Sequence, residues 1–65
     1  MNRVRYYREQ KNMSQEQLSK KSGISRPTIS AIENNDKYDI KIGTMVAIAD
    51  ALEQKVEDVF FYNEG

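Results

Sequence analysis

Residues 25–34, Ser-Arg-Pro-Thr-Ile-Ser-Ala-Ile-Glu-Asn, set one arginine among short side chains. Read as a helix at about 100° per residue with Arg26 at zero, Ser30 lies near ~40°, Asn34 near ~80°, Pro27 near ~100° and Ala31 near ~140°. Ile29 near ~300° and Ile32 near ~240° mark the opposite, buried side. Apart from Arg26 the outer face is uncharged, whereas a merely solvated face is usually rich in Lys and Glu. Small side chains permit close approach, and a guanidinium fork can donate two bonds to guanine O6 and N7, worth ~1–3 kcal/mol of discrimination. Pro27 can offer a thymine methyl apolar contact or serve as a rigid helix start. Ser30 can donate or accept, which discriminates weakly. Thr28, near ~200°, is on the flank, where it supports the helix start or touches a partner. This is chemistry suited to reading base edges in the major groove of double-stranded DNA, with Arg26, Pro27, Thr28, Ser30 and Ala31 as base-contacting candidates. A phosphate contact is the alternative role of Arg26.

Such a face works only if neighbouring elements hold it. Ser14 is placed to cap a helix through its hydroxyl, and Gln17, three residues on, can return a bond to the cap amide. Met13 and Leu18 fall at the positions of a hydrophobic staple. The helix is predicted to stop near Ser22-Gly23, where glycine can turn left-handed and Lys20 and Lys21 suit the negative end of the dipole. Ser25 is the next cap, with Ile24 and Ile29 as its staple pair. Pro27 sits where its missing amide would have no helical partner. Only Ser22, Gly23 and Ile24 separate the two helices, a length that fits a helix-turn-helix unit over residues 14–34.

The rest of the chain reads as more helix. Val4 and Tyr7 mark the buried stripe of a first helix over residues 2–11, with the stem of Lys11 beside them and Asn12 as terminator. Residues 35–41 lack apolar periodicity and read as a loop. Ile42, Met45, Ile48, Ala49 and Leu52 follow a helical stripe from Ile42 to Leu52, and Val56, Val59 and Phe60 a short last helix. The expected fold is all-α, a bundle of five short helices. Its expected core is Val4, Tyr7, Leu18, Ile24, Ile29, Ile32, Ile42, Met45, Ile48, Leu52, Val56, Val59 and Phe60.

Sixty-five residues predict a single domain, 1–65. The chain has no cysteine and no histidine, which removes disulfides, the commonest metal ligands and the commonest catalytic bases and nucleophiles. Neither an enzyme nor a metal or other cofactor is expected. No apolar run approaches the ~18 residues of a membrane span, so the chain reads as cytoplasmic, working on the nucleoid. The zero net charge conceals an asymmetry. Residues 1–30 carry seven cations against two acids, +5, and residues 31–65 carry three cations against eight acids, −5. The basic half holds the helix-turn-helix, and the local field, not the total, attracts phosphate.

With these residues in view, the chain resembles the phage-repressor and Cro-like (XRE-type) helix-turn-helix family of DNA-binding transcriptional regulators. The matching residues are Arg8, Ser14-Gln15-Glu16-Gln17-Leu18, Gly23-Ile24-Ser25-Arg26, Thr28-Ile29-Ser30, Ile32-Glu33-Asn34, Ile48-Ala49-Asp50-Ala51-Leu52 and Val59-Phe60. The resemblance implies a lambda-repressor-like fold. It implies that Gln15 bonds a phosphate and braces recognition-helix side chains, and that Arg8 and Glu33 form an orienting salt bridge with Arg8 near a phosphate. Ser25, Asn34, Lys37 and Tyr38 complete the phosphate-contacting candidates. Three positions depart from the family pattern: Asn35 and Glu53 replace helix-end glycines, and Gly43 stands near the start of the fourth helix. Glu53 in a left-handed conformation would be strained.

The family's two-fold logic implies a homodimer on a palindromic operator with half-sites ~34 Å apart. Phe61 and Tyr62, in a possible dimerisation tail 56–65, are the candidate interface; a tail folded back on the core is the alternative. The expected function is sequence-specific DNA binding by a transcriptional regulator acting as a repressor. The rival reading is an antitoxin-like or accessory module whose main partner is another protein, suggested by the acidic C-terminal half and the aromatic tail.

Overall fold

The computed structural model describes residues 2–34 and 39–61. Within them the elements are α1 (Val4–Gln10), α2 (Gln15–Ser22), α3 (Arg26–Asn34), α4 (Ile42–Ala51) and α5 (Val56–Phe60), and no strand occurs among the described residues. The all-α expectation holds.

Local chemistry sets each boundary. The Ser14 hydroxyl accepts from the Gln17 amide at 3.0 Å while the Gln17 side chain accepts from the Ser14 amide at 2.8 Å, completing the capping box. Gly23 ends α2 at φ 76°, a left-handed conformation open to a residue with no Cβ. α1 and α4 both close with a Schellman pair. Asn12 and Met13 donate to the Glu9 and Arg8 carbonyls, and Glu53 and Gln54 donate to Asp50 and Ala49. The left-handed residue of each pair is Asn12 (φ 54°) and Glu53 (φ 58°). Asn12 tolerates that conformation; Glu53 adopts it against its steric preference. The two Schellman bonds and the buried Leu52 just before it accompany that turn.

Val4, Leu18, Ile29, Ile32, Ile48, Leu52 and Val59 are wholly inaccessible, joined by Ala49 and Ala51. Every helix contributes, and each buried aliphatic is worth roughly 1.5–3 kcal/mol. α2 packs on α3 and α4, α4 on α5, and α1 on α3 and α5, so α3 is held from behind by α1 and α2.

Several sequence expectations need correction. Ile42, assigned to the core, is 66% exposed, because it opens α4 before that helix reaches its neighbours. Met45 is only half-buried. Tyr7, Ile24, Val56 and Phe60 are partly buried against the core rather than inside it. α1 begins at Val4, not residue 2, and α4 ends one residue before Leu52, which caps it. The Lys11 Nζ reaches the Glu53 carboxylate at 2.6 Å, a contact the sequence does not signal.

Candidate nucleic-acid interface

α3 starts at a tight local knot. The Ser25 hydroxyl accepts from the Thr28 amide at 3.3 Å and donates to the Thr28 hydroxyl at 2.8 Å, so one of the free first-turn amides is satisfied. Thr28 thereby supports the helix start, as its flanking position suggests. Ile29 and Ile32 turn inward and are fully buried. Arg26 and Pro27 stand exposed, while Ser30 and Ala31 are half-buried. At the other end, the Asn34 amide folds back on its own helix, donating to the Ser30 carbonyl at 2.9 Å and to the Ser30 hydroxyl at 3.3 Å.

Glu33 has nearly the same azimuth as Arg26, about ~340° around the helix and two turns later, yet its side chain is only 2% exposed. The same side of α3 is therefore open at its N-terminal end and sealed at its C-terminal end.

The seal is a four-bond cluster. Arg8 of α1 donates from Nε to Glu33 Oε2 at 2.8 Å and from a terminal nitrogen to Glu33 Oε1 at 3.1 Å. A second terminal nitrogen of Arg8 donates to the Met13 carbonyl at 2.8 Å. Gln15, the first residue of α2, donates its side-chain amide to Glu33 Oε1 at 3.1 Å. Fork-to-fork pairing of guanidinium and carboxylate is directional as well as strong. One carboxylate at the end of α3 is thus gripped from both helices behind it. The hydrogen bond to Glu33 holds the Arg8 guanidinium protonated more firmly than an ordinary arginine, against the opposing pull of its partial burial. Among the described residues no buried side-chain nitrogen or oxygen lacks a partner.

The structure thus brings Arg8, Gln15 and Glu33 together and sets Arg26, Pro27 and Ser25 at the open end. Lys37, Tyr38 and Tyr62 lie outside the described residues. Phe61 follows α5 and is 61% exposed. Thr28 shares a cleft of about 110 Å³ with Asp39, Ile40, Lys41 and Thr44, neighbours of α3 that no sequence motif marks. Lys41 precedes α4 with no side-chain cap on its first amides, and nothing local in the sequence ties it to Thr28. No helix among the described residues is long and apolar enough to cross a membrane.

The geometry is matched by kinship. The helix-turn-helix family profile covers residues 4–59, from the start of α1 to the penultimate residue of α5. An uncharacterized HTH-type transcriptional regulator of Methanocaldococcus jannaschii is 44% identical over 63 residues, 97% of this chain and 94% of that protein. Another, from Archaeoglobus fulgidus, is 36% identical over 62 residues, 95% of this chain and 86% of its own length. The Control protein C.SmaI of Serratia marcescens is 38% identical over 53 residues, 82% of this chain and 62% of that protein. With an exposed first turn on α3, a buried clamp behind it and these relatives, the chain belongs to the phage-repressor and Cro-like helix-turn-helix family of DNA-binding transcriptional regulators.

Proposed function

We propose that this regulator is a sequence-specific repressor that binds a palindromic operator as a homodimer, inserting the first turn of α3 into the major groove. The observation that carries the reading is the contrast along one side of α3: Arg26 and Pro27 open, Glu33 sealed. In this reading Arg26 is the principal base reader, with Pro27, Thr28, Ser30 and Ala31 lining the approach to the groove. Ser25, Gln15 and Asn34, with Lys37 and Tyr38, set the register on the phosphates, which carry no sequence information themselves. Arg8 acts chiefly on Glu33, since three of its donors are already engaged. The likeness to a protein named a control protein supports a regulatory role.

The second copy is proposed because exposed apolar side chains remain. Phe61 is 61% exposed, and Ile42 and Val46, one turn apart on α4, are 66% and 43% exposed. Aromatic and aliphatic side chains of this kind anchor subunit contacts.

Selection of duplexes from a random pool tests the whole reading at once. The expected outcome is an enriched two-fold symmetric site with half-sites about one helical turn apart. Failure to enrich any sequence, with binding indifferent to base composition, would remove the specific-regulator reading.

A further inference from the structure

The geometry points to Asn2 as a positioning residue for the recognition helix. Its carboxamide uses both ends. The Oδ1 atom accepts from the Val4 amide at 3.0 Å, satisfying a free donor at the start of α1. The Nδ2 atom donates to the Ile32 carbonyl at 2.8 Å, thirty residues away in sequence. Ile32 lies next to Glu33 in the last described turn of α3. The two ends of one side chain therefore join the beginning of α1 to the end of α3.

Adjacent residues make this bond more than a cap. Asn2 holds Ile32 and Arg8 holds Glu33, so α1 reaches the same turn of α3 from before its own first residue and from its last turn. Ile29 and Ile32 pack inward and Glu33 is gripped from α1 and α2; the Asn2 bond adds an attachment at a separate point, which stiffens the roll of α3. The roll of α3 sets where Arg26 points, two turns away. A second anchor steadies this end of α1, because the Arg3 amide donates to the Val59 carbonyl of α5 at 2.8 Å. Asn2 is thus assigned to specificity rather than to phosphate attraction, an assignment that rests on the sequence-specific DNA reading proposed above.

Asn2→Asp separates the two functions of the side chain. It keeps an oxygen to cap Val4 and replaces the donor to Ile32 with an acceptor. Melting temperature, affinity for the selected duplex and affinity for a scrambled duplex are measured for the unaltered protein, Asn2→Asp and Arg26→Ala. The expected result for Asn2→Asp is a protein fully folded at the assay temperature. Its preference for the selected over the scrambled duplex falls about three- to tenfold, as loss of one hydrogen bond's net worth implies, while any loss caused by the added negative charge falls equally on both duplexes. Should Asn2→Asp be unfolded, Asn2→Ser, which can cap Val4 but is too short to span to Ile32, is read in the same way. An unchanged preference, or an equal loss on both duplexes, overturns the positioning role alone when Arg26→Ala still relaxes specificity. An unaltered protein with no preference removes the DNA reading and this role with it.

Discussion

Glu33 has the most demanding environment of any described residue. A carboxylate that is 2% exposed must be matched, and Arg8, at 13%, supplies two of its three bonds. Removing one partner of a buried pair leaves an uncompensated charge, which costs far more than losing a surface pair. Arg8→Ala is therefore expected to lower unfolding free energy by about 2–4 kcal/mol in urea titration. Adding Glu33→Gln to Arg8→Ala should recover part of that loss, since the orphaned charge disappears. A change below about 0.5 kcal/mol for the single variant would show that the pair is not structurally coupled. Little of this cluster was legible in the sequence. Arg8 and Glu33 are twenty-five residues apart, and only the family resemblance placed them together. The Asn2 bond to Ile32 has no local signature, because an asparagine near a helix start reads only as a local cap.

Helix boundaries were far more legible, because the forces that set them are local. Ser14 with Gln17, Gly23 and Asn12 each announce an end through a side chain or a backbone preference. α4 was harder. It is apolar nearly all round, so periodicity could not choose its buried face: Ile42 was misplaced and Ala51 missed. Glu53 gives the sharpest test at this scale. Its left-handed backbone, φ 58°, is opposed by Cβ sterics, and its exposed pairing with Lys11 offsets only a fraction of that. Glu53→Gly should raise the melting midpoint by roughly 2–5 °C, and a fall would mean that the Lys11 pair outweighs the backbone term.

The same pair has a pH signature. The hydrogen bond and charge of Lys11, aided by Lys21, draw the Glu53 carboxyl below its ordinary value of 4.5. A lowered folded-state value means the contribution is full above 4.5 and is lost as pH falls below it. The difference in melting midpoint between the unaltered protein and Lys11→Met should therefore be constant near neutrality and close as the solution is acidified. A difference that widens on acidification would contradict the sign.

At the scale of the molecule, charge and exposed apolar surface divide the functions. The first thirty residues carry the excess of cations and the later ones the excess of acids, so the formally neutral chain divides its charge along its length. The helix-turn-helix lies mostly in that basic part, and Phe61 with the outer face of α4 lies in the other. In the proposed reading the cation-rich part meets DNA and the later part meets a second copy. Removing residues 61–65 is expected to give monomers by sedimentation at concentrations where the full chain is dimeric. An unchanged dimer mass would move the contact elsewhere, with Ile42 and Val46 of α4 the next surface to alter. DNA affinity should fall linearly with salt on logarithmic axes, at about −0.9 per phosphate neutralised.

The most direct test of the central claim is equilibrium binding to the selected duplex and to a scrambled one of equal composition, for the unaltered protein and Arg26→Ala. The unaltered protein is expected to prefer the selected duplex by about 10³-fold or more. Arg26→Ala is expected to lose ~10- to 100-fold of that preference while binding the scrambled duplex as before. Equal affinity of the unaltered protein for both duplexes, or full retention of the preference by Arg26→Ala, would contradict the claim.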